Sequence, residues 1–269
     1  MKIGKVTHVR SAICTSNEHA IIVRGHNLSN ELIGQVNFAD HFHLLLTGRM
    51  PDAATSAVLN ATLVAIAEHG LVPSVQAARM TLAAAPEAMQ GAVAAGLLGA
   101  GSVVLGSSET AGRLFLRVEE EAKKNHGGDL QAAAQAVVTE LRAKRLPIPG
   151  YGHPEHKERD PRVDALFGVS LKAGASQTYV NIAKIIEGVI PAIVGRELKL
   201  NVSAAIPAVL LDVGFPVHAL KGVPILARTA SLIAHLNEEI ADPIGFALSY
   251  QATTEQEYTG TVPAGFKVE

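Results

Sequence analysis

At 269 residues the chain is long enough to bury a substantial core as one large domain or two unequal ones. Hydrophobic residues make up 48%, charged residues 18% and aromatics 4%, with no Trp, as expected of helices packed closely through small side chains. A formal net charge of −2 gives no global basic field, which argues against nucleic acid and anionic membrane surfaces as partners.

The N-terminal "MKIGKVTHVRSAI" lacks the apolar core and small-residue cleavage site of a signal peptide. The single cysteine, Cys14, has no intrachain partner, which fits a reducing cytosol, so a cytoplasmic protein is expected. Short β-branched or apolar runs at 6–13 and 19–24 flank the polar "CTSNE" and predict a small hairpin with Cys14 in its turn. From Glu31 onward the apolar repeat turns helical. Helices are predicted at 31–48, 53–69, 87–104, 109–125, 129–144, 161–173, 176–194, 202–213 and 222–240. Prolines fall at or near the ends of these segments, and "KNHGGD" (124–129) offers glycines for a helix C-cap. The apolar run 91–106 is too short for a membrane span and is broken by glycines, so it reads as a buried helix. The expected class is all-α with a short N-terminal β-hairpin. The stretch from Thr253 onward reads as a loose C-terminal arm.

The densest polar stretch is "GYGHPEHKERDPR" (150–162). As a metal site it is incomplete: His153 and His156 lack further converging ligands, and Pro154 disfavours placing both on one helical face. The "HFH" at 41–43 lies in an apolar run where a packed or surface histidine is the commoner outcome, so no metal is expected. Neither a nucleophile elbow, a GxGxxG fingerprint nor a P-loop occurs. The stretch reads better as an anion-binding or CoA-type loop. Gly150 and Gly152 let backbone amides approach a ligand, and His153 titrates near neutrality as an acid, base or oxyanion donor. Asp160 is placed to cap a helix that starts with Pro161. Arg162 then falls in the first turn of that helix, where a positive charge is unfavourable unless an anion lies close, which points to carboxylate binding. The bland alternative is a capped helix behind a charged surface loop.

The same stretch resembles the active-site loop of the citrate synthase superfamily, a glycine-rich turn with a histidine followed by Asp-Pro-Arg. Further segments are similar in the same order: 23–51, "AEHG" (67–70), "LNVSAAI" (200–206), "LARTASLIAH" (226–235) and "YTG" (258–260). The length resembles the short members, citryl-CoA lyase and the lyase domain of ATP-citrate lyase. The resemblance implies a large helical domain from residues 1–106 and 218–269, with a smaller helical domain inserted at 107–217. It also implies a homodimer or homotetramer.

Carried over by position, His69 and His153 match the histidines that contact the hydroxyacid or oxoacid, and Arg162 and Arg228 match the arginines that hold its carboxylates. The backbone of Ile148, Pro149, Gly150, Tyr151 and Gly152, with the Lys157 side chain, falls where the family binds coenzyme A. The implied reaction makes or breaks a carbon–carbon bond next to a CoA thioester, such as cleavage of citryl-CoA into acetyl-CoA and an oxoacid.

Three departures bear on that reaction. Val104 stands near the position of the histidine that stabilises the enol in synthases, which the short lyases also lack. Thr253 is nearest to an arginine expected before the final "YTG". Ser203 occupies the position of the family's proton-transferring aspartate, and a serine hydroxyl is no general base near neutrality. A lyase with Ser203 as hydrogen-bond donor, a CoA-thioester hydrolase or decarboxylase, and a non-catalytic CoA- or metabolite-binding homologue all follow from this pattern.

Overall fold

The structure is a computed structural model and describes residues 9–101, 107–152 and 160–266. The chain divides into two compact units, one from the described parts of Met1–Ala65 and Ser107–Val223, the other from those of Ile66–Gly106 and Pro224–Glu269. The segment 107–217 lies wholly within the first unit.

The first unit opens with a small antiparallel sheet, β1 (Cys14–Ser16), β2 (Ile21–Val23) and β3 (His26–Asn27). Cys14 is therefore a strand residue, paired with Val23, and not part of the turn as the sequence suggested. The turn lies one step later, where the Asn17 carboxamide oxygen accepts from the amides of His19 and Ala20 at 2.9 Å. Arg24 and Gly25 join β2 to β3 with φ of 50° and 91°, the paired positive values of a tight two-residue turn. The Arg24 guanidinium donates to the Leu45 carbonyl through Nε (3.0 Å) and Nη2 (2.6 Å), fastening the sheet to α1 (Phe38–Thr47). Helix α1 starts later than the predicted residue 31 because Gly34 turns the chain with φ 78° and Asn37 supplies the N-cap. His43 is buried within α1, with Nδ1 3.0 Å from the Arg49 carbonyl. It is a packed histidine.

The remainder of this unit is a helical cluster around α9 (Val202–Asp212). Packed on or beside it are α5 (Ser107–Asn125), α6 (Leu130–Ala143), α7 (Pro161–Lys172) and α8 (Thr178–Val194). Helix α9 is apolar on nearly every side, and Ala204 through Leu210 are all buried, the pattern of a central helix. Close approach is built in at Gly112 of α5, where a Cβ would lie 2.5 Å from a Leu220 methyl and 3.2 Å from Pro207. At its far end Asp212 accepts from Ser176 Oγ (2.7 Å) and from the amides of Tyr179 (2.8 Å) and Val180 (3.1 Å), which caps α8 from outside that helix.

The chain passes between units three times, at the end of α2 (Ala53–Ala67), at the start of α5 and at the start of α10 (Gly222–Ala241). In the second unit α3 (Pro73–Ala84) packs against α4 (Met89–Leu98) and α11 (Gly245–Thr254). Val75, Ala78, Leu82, Ala92, Leu232 and Leu236 form its core. Arg79 is buried and pairs with Glu239 Oε2 (2.7 Å) and Glu238 Oε2 (2.6 Å), while Glu239 caps α11 by accepting from Ile244 and Gly245 amides. A buried charge of this kind is tolerated because every partner is present. Neither α3 nor α11 was predicted from the sequence. No helix among the described residues is long and apolar enough to cross a membrane.

Candidate active site

Ile148–Gly152 lies between α6 and α7 and is fastened to the segment that enters α9. Gly150 and Gly152 have φ of 89° and 83°, so both glycines stand where a side chain would be strained. Tyr151 between them is buried, pairs with Leu200 in an isolated bridge, and donates its hydroxyl to the Ala183 carbonyl at 2.8 Å. Burial, with the Glu187 charge adding to it, pushes its phenol well above its ordinary value, so Tyr151 is a structural pin.

Asn201 completes the attachment with three groups. Its amide donates to Gly150 O (3.0 Å), its side-chain amide to Gly152 O (2.6 Å), and its side-chain oxygen accepts from Ser203 N (2.9 Å). It is thus the N-cap of α9 and a clasp on the glycine turn at once. Gly150 is packed so tightly that a Cβ would lie 2.5 Å from that of Ala204. Ser203 sits in the first turn of α9, half-buried, directly after this clasp.

Asp160 makes the second junction. It caps α7 as expected, accepting from Arg162 N (3.1 Å), and also accepts from Val202 N (3.1 Å) in the first turn of α9. The anion that the position of Arg162 demands is this same carboxylate: Arg162 Nε and Nη2 reach its two oxygens at 2.9 and 2.8 Å. Burial pushes the Asp160 carboxyl up, but the Arg162 hydrogen bonds and charge and the Val202 amide outweigh it and hold the group below its usual value.

Beside the turn is a cavity of about 680 Å³, lined by Arg142, Arg145 and Arg196 with Leu146, Pro147 and Ile148 among its apolar neighbours. None of the three arginines is ion-paired with another described residue. Arg145 holds a positive φ of 55°, rare for a side chain of this size. Sequence reading missed this cluster. "RAKRLP" and "GRELKL" are visible in the sequence, yet only the packing of α6 against α8 brings them together.

The first unit thus gathers Ile148, Pro149, Gly150, Tyr151, Gly152, Arg162 and Ser203 at two adjoining junctions. His153 and Lys157 lie outside the described residues. His69 and Arg228 belong to the second unit. His69 is half-buried just beyond the end of α2, and Arg228 is buried on α10. Glu68, which the sequence reading passed over, precedes His69 and accepts from Ser231 Oγ, from the Gly70 amide and from His235 Nε2, the last at 3.0 Å. Partial burial pushes its carboxyl up, but the Ser231 and His235 hydrogen bonds prevail and bring it down to about 2. Among the described residues, no three His, Cys, Asp or Glu side chains converge as metal ligands would.

The mainly helical architecture, with its small N-terminal sheet, is that of the citrate synthase-like fold. Residues 36–245 match the family model for the citrate synthase C-terminal domain, and the chain belongs to that family. It superposes on citryl-CoA lyase from Hydrogenobacter thermophilus with a TM-score of 0.83 and 30% identity, covering 96% of this chain and 97% of that one. ATP citrate lyase from Methanothrix soehngenii, solved with citrate and coenzyme A, shares the fold at a TM-score of 0.79 and 23% identity, over 99% of this chain and 44% of that one. A citrate synthase of Synechocystis sp. is 26% identical over 77% of this chain and 51% of its own length. The chain spans only 30% to 51% of the length of the curated relatives it matches.

Two predictions follow from this geometry. Gly150→Ala combines a strained φ with a clash against Ala204, and should lower the unfolding free energy by about 2 kcal/mol in urea titration. For Glu68 the folded value near 2 lies below its ordinary 4.5, so its contribution is complete above pH 4.5 and is lost as pH falls toward 2. The stability difference between wild type and Glu68→Gln should therefore shrink as pH falls across that window.

Proposed function

We propose that the chain is a CoA-thioester lyase of the citryl-CoA lyase kind, cleaving a 3-hydroxyacyl-CoA such as citryl-CoA into acetyl-CoA and an oxoacid. The observation that carries this reading is the cavity with three arginines beside the Ile148–Gly152 turn. A cluster of guanidinium groups without carboxylate partners among the described residues suits the phosphates of coenzyme A, and the apolar lining suits its adenine. End-to-end agreement with a citryl-CoA lyase supports the same assignment.

In this reading His69 and His153 polarise the hydroxyl-bearing carbon of the substrate, Arg162 and Arg228 hold carboxylate, and Lys157 assists coenzyme A. Arg162 spends two of its N–H donors, on Nε and Nη2, on Asp160, which leaves the Nη1 hydrogens and the second Nη2 hydrogen to offer a substrate. Lysis passes the 3-hydroxyl proton to one of the two histidines and breaks the adjacent carbon–carbon bond. The electron pair passes into the enolate of acetyl-CoA, which then takes a proton at carbon.

The direction of the reaction decides how much Ser203 matters. At the acetyl carbon condensation needs a base to pull a proton away, whereas lysis needs a donor to return one, and an enolate accepts from a hydroxyl or water. Asp160 does not replace the missing aspartate, because its oxygens already accept from Arg162 and Val202 and its charge is matched. Ser203 also favours a second reading, decarboxylation of a CoA-linked acid, which needs no removal of a carbon-bound proton. A homodimer or homotetramer belongs to the same proposal.

Incubating folded protein with a panel of 3-hydroxyacyl-CoA esters should release acetyl-CoA and an oxoacid. Release of CO₂ or free CoA with no second carbon fragment would favour the decarboxylase or hydrolase, and no product at all would sink the lyase. Ser203→Asp should raise the condensation rate above that of wild type by about 10²-fold. Replacing Arg142, Arg145 and Arg196 by Ala should raise KM for the CoA ester about tenfold or more and leave KM for the N-acetylcysteamine thioester unchanged.

A further inference from the structure

Helix α10 carries Arg228, Ser231 and His235 at intervals of three and four residues, so the three share one face. Glu68 meets that face with one carboxylate oxygen, which accepts from Ser231 Oγ and lies 3.0 Å from His235 Nε2. Its other oxygen accepts from the amide of Gly70. Gly70 turns the chain with φ 70°, and His69 is the residue enclosed between the two. The backbone on both sides of His69 is therefore fastened to the helix face that presents Arg228. Arg79 secures the same helix one turn further on, through Glu238, Glu239 and the Asp242 carbonyl. His235 Nδ1 lies 3.9 Å from Glu238 Oε2, so the Glu68 tether and the Arg79 tether adjoin.

We propose that Glu68 is a positioning residue for His69 and Arg228, holding the His69 turn in register with the substrate-facing side of α10. The inference rests on the reading of His69 and Arg228 as substrate contacts. Glu68 is half exposed, so its substitution does not leave a buried charge or cavity and the fold survives it. A neutral glutamine keeps an oxygen for the Gly70 amide and turns an N–H donor toward the Ser231 hydroxyl, which can accept it, whereas alanine keeps nothing. Displacing a reacting group by about 1 Å costs on the order of a hundredfold in rate, which sets the scale of the effect.

Three measurements on the full chain test the proposal. Glu68→Ala should lower kcat by about tenfold to a hundredfold with a much smaller change in KM, and Glu68→Gln should recover most of the loss. Amide exchange in the peptide spanning residues 69–72 should accelerate about tenfold in Glu68→Ala and stay near wild type in Glu68→Gln. Ser231→Ala added to Glu68→Ala should cost no more than Glu68→Ala by itself. Unchanged exchange at 69–72 in Glu68→Ala overturns the proposal, as does an equal loss of kcat in the Ala and Gln variants. If wild type turns over no CoA ester while Glu68→Ala still accelerates exchange at that turn, the proposed reaction falls and the tether stands.

Discussion

The carboxylate of Asp160 sets the geometry of the first unit's site, because the starts of two helices, α7 and α9, meet on it. It caps α7, receives the first-turn amide of Val202 in α9, and holds the Arg162 guanidinium in a two-point ion pair. Each donor would otherwise be an orphan at a helix N-terminus or a cation against the positive end of a helix dipole. Leaving any one unsatisfied costs about 1–3 kcal/mol, so the arrangement is favoured as a set. Asn201 then carries the constraint outward: by clasping Gly150 and Gly152 it makes the glycine turn an extension of the α9 N-terminus. The turn has little freedom of its own.

This rigidity makes the local structure independent of what side chain stands at 203. The backbone amide of Ser203 is satisfied by Asn201, so capping does not depend on the side chain at 203. Chemistry at that position is thereby separated from folding.

Much of this was readable in the sequence, and the exceptions have particular causes. Asp160 before Pro161, and the glycines of "KNHGGD", are local signals that need no tertiary partner, and both hold: Asp160 caps α7, while Gly127 and Gly128 have φ of 58° and 95°. The helices α5 to α10 carry enough apolar periodicity, or enough continuous apolarity, to be placed within a few residues. Helix α3 was missed because its buried face is interrupted by Arg79, an arginine that is buried only because Glu238 and Glu239 of α10 reach it. Helix α11 begins at a glycine and buries little, and it is capped by Glu239. For α3 the deciding acids lie on α10, far along the chain and outside any local window, whereas for α11 Glu239 lies only a few residues upstream and it is the glycine start and slight burial that hide the helix. The Arg142, Arg145 and Arg196 cavity was invisible for the same reason as α3.

Both units thus solve one problem by the same means. Each has a turn proposed to meet the substrate, Gly150–Gly152 in one and His69 in the other, that lies outside a helix and has weak local preferences. In each, a single acidic side chain joins a loop or helix end to a neighbouring helix: Asp160 to α9, and Glu68 to α10. Hydrophobic burial fixes the helices but is indifferent to small rotations of a turn, since apolar contact is non-directional. Hydrogen bonds to a carboxylate are directional and roughly twice as strong as neutral ones, so they set the angle that burial leaves free. That division of labour places the acids beside the residues expected to touch substrate, and it accounts for two carboxylates held below their usual pKa in a chain with few charges.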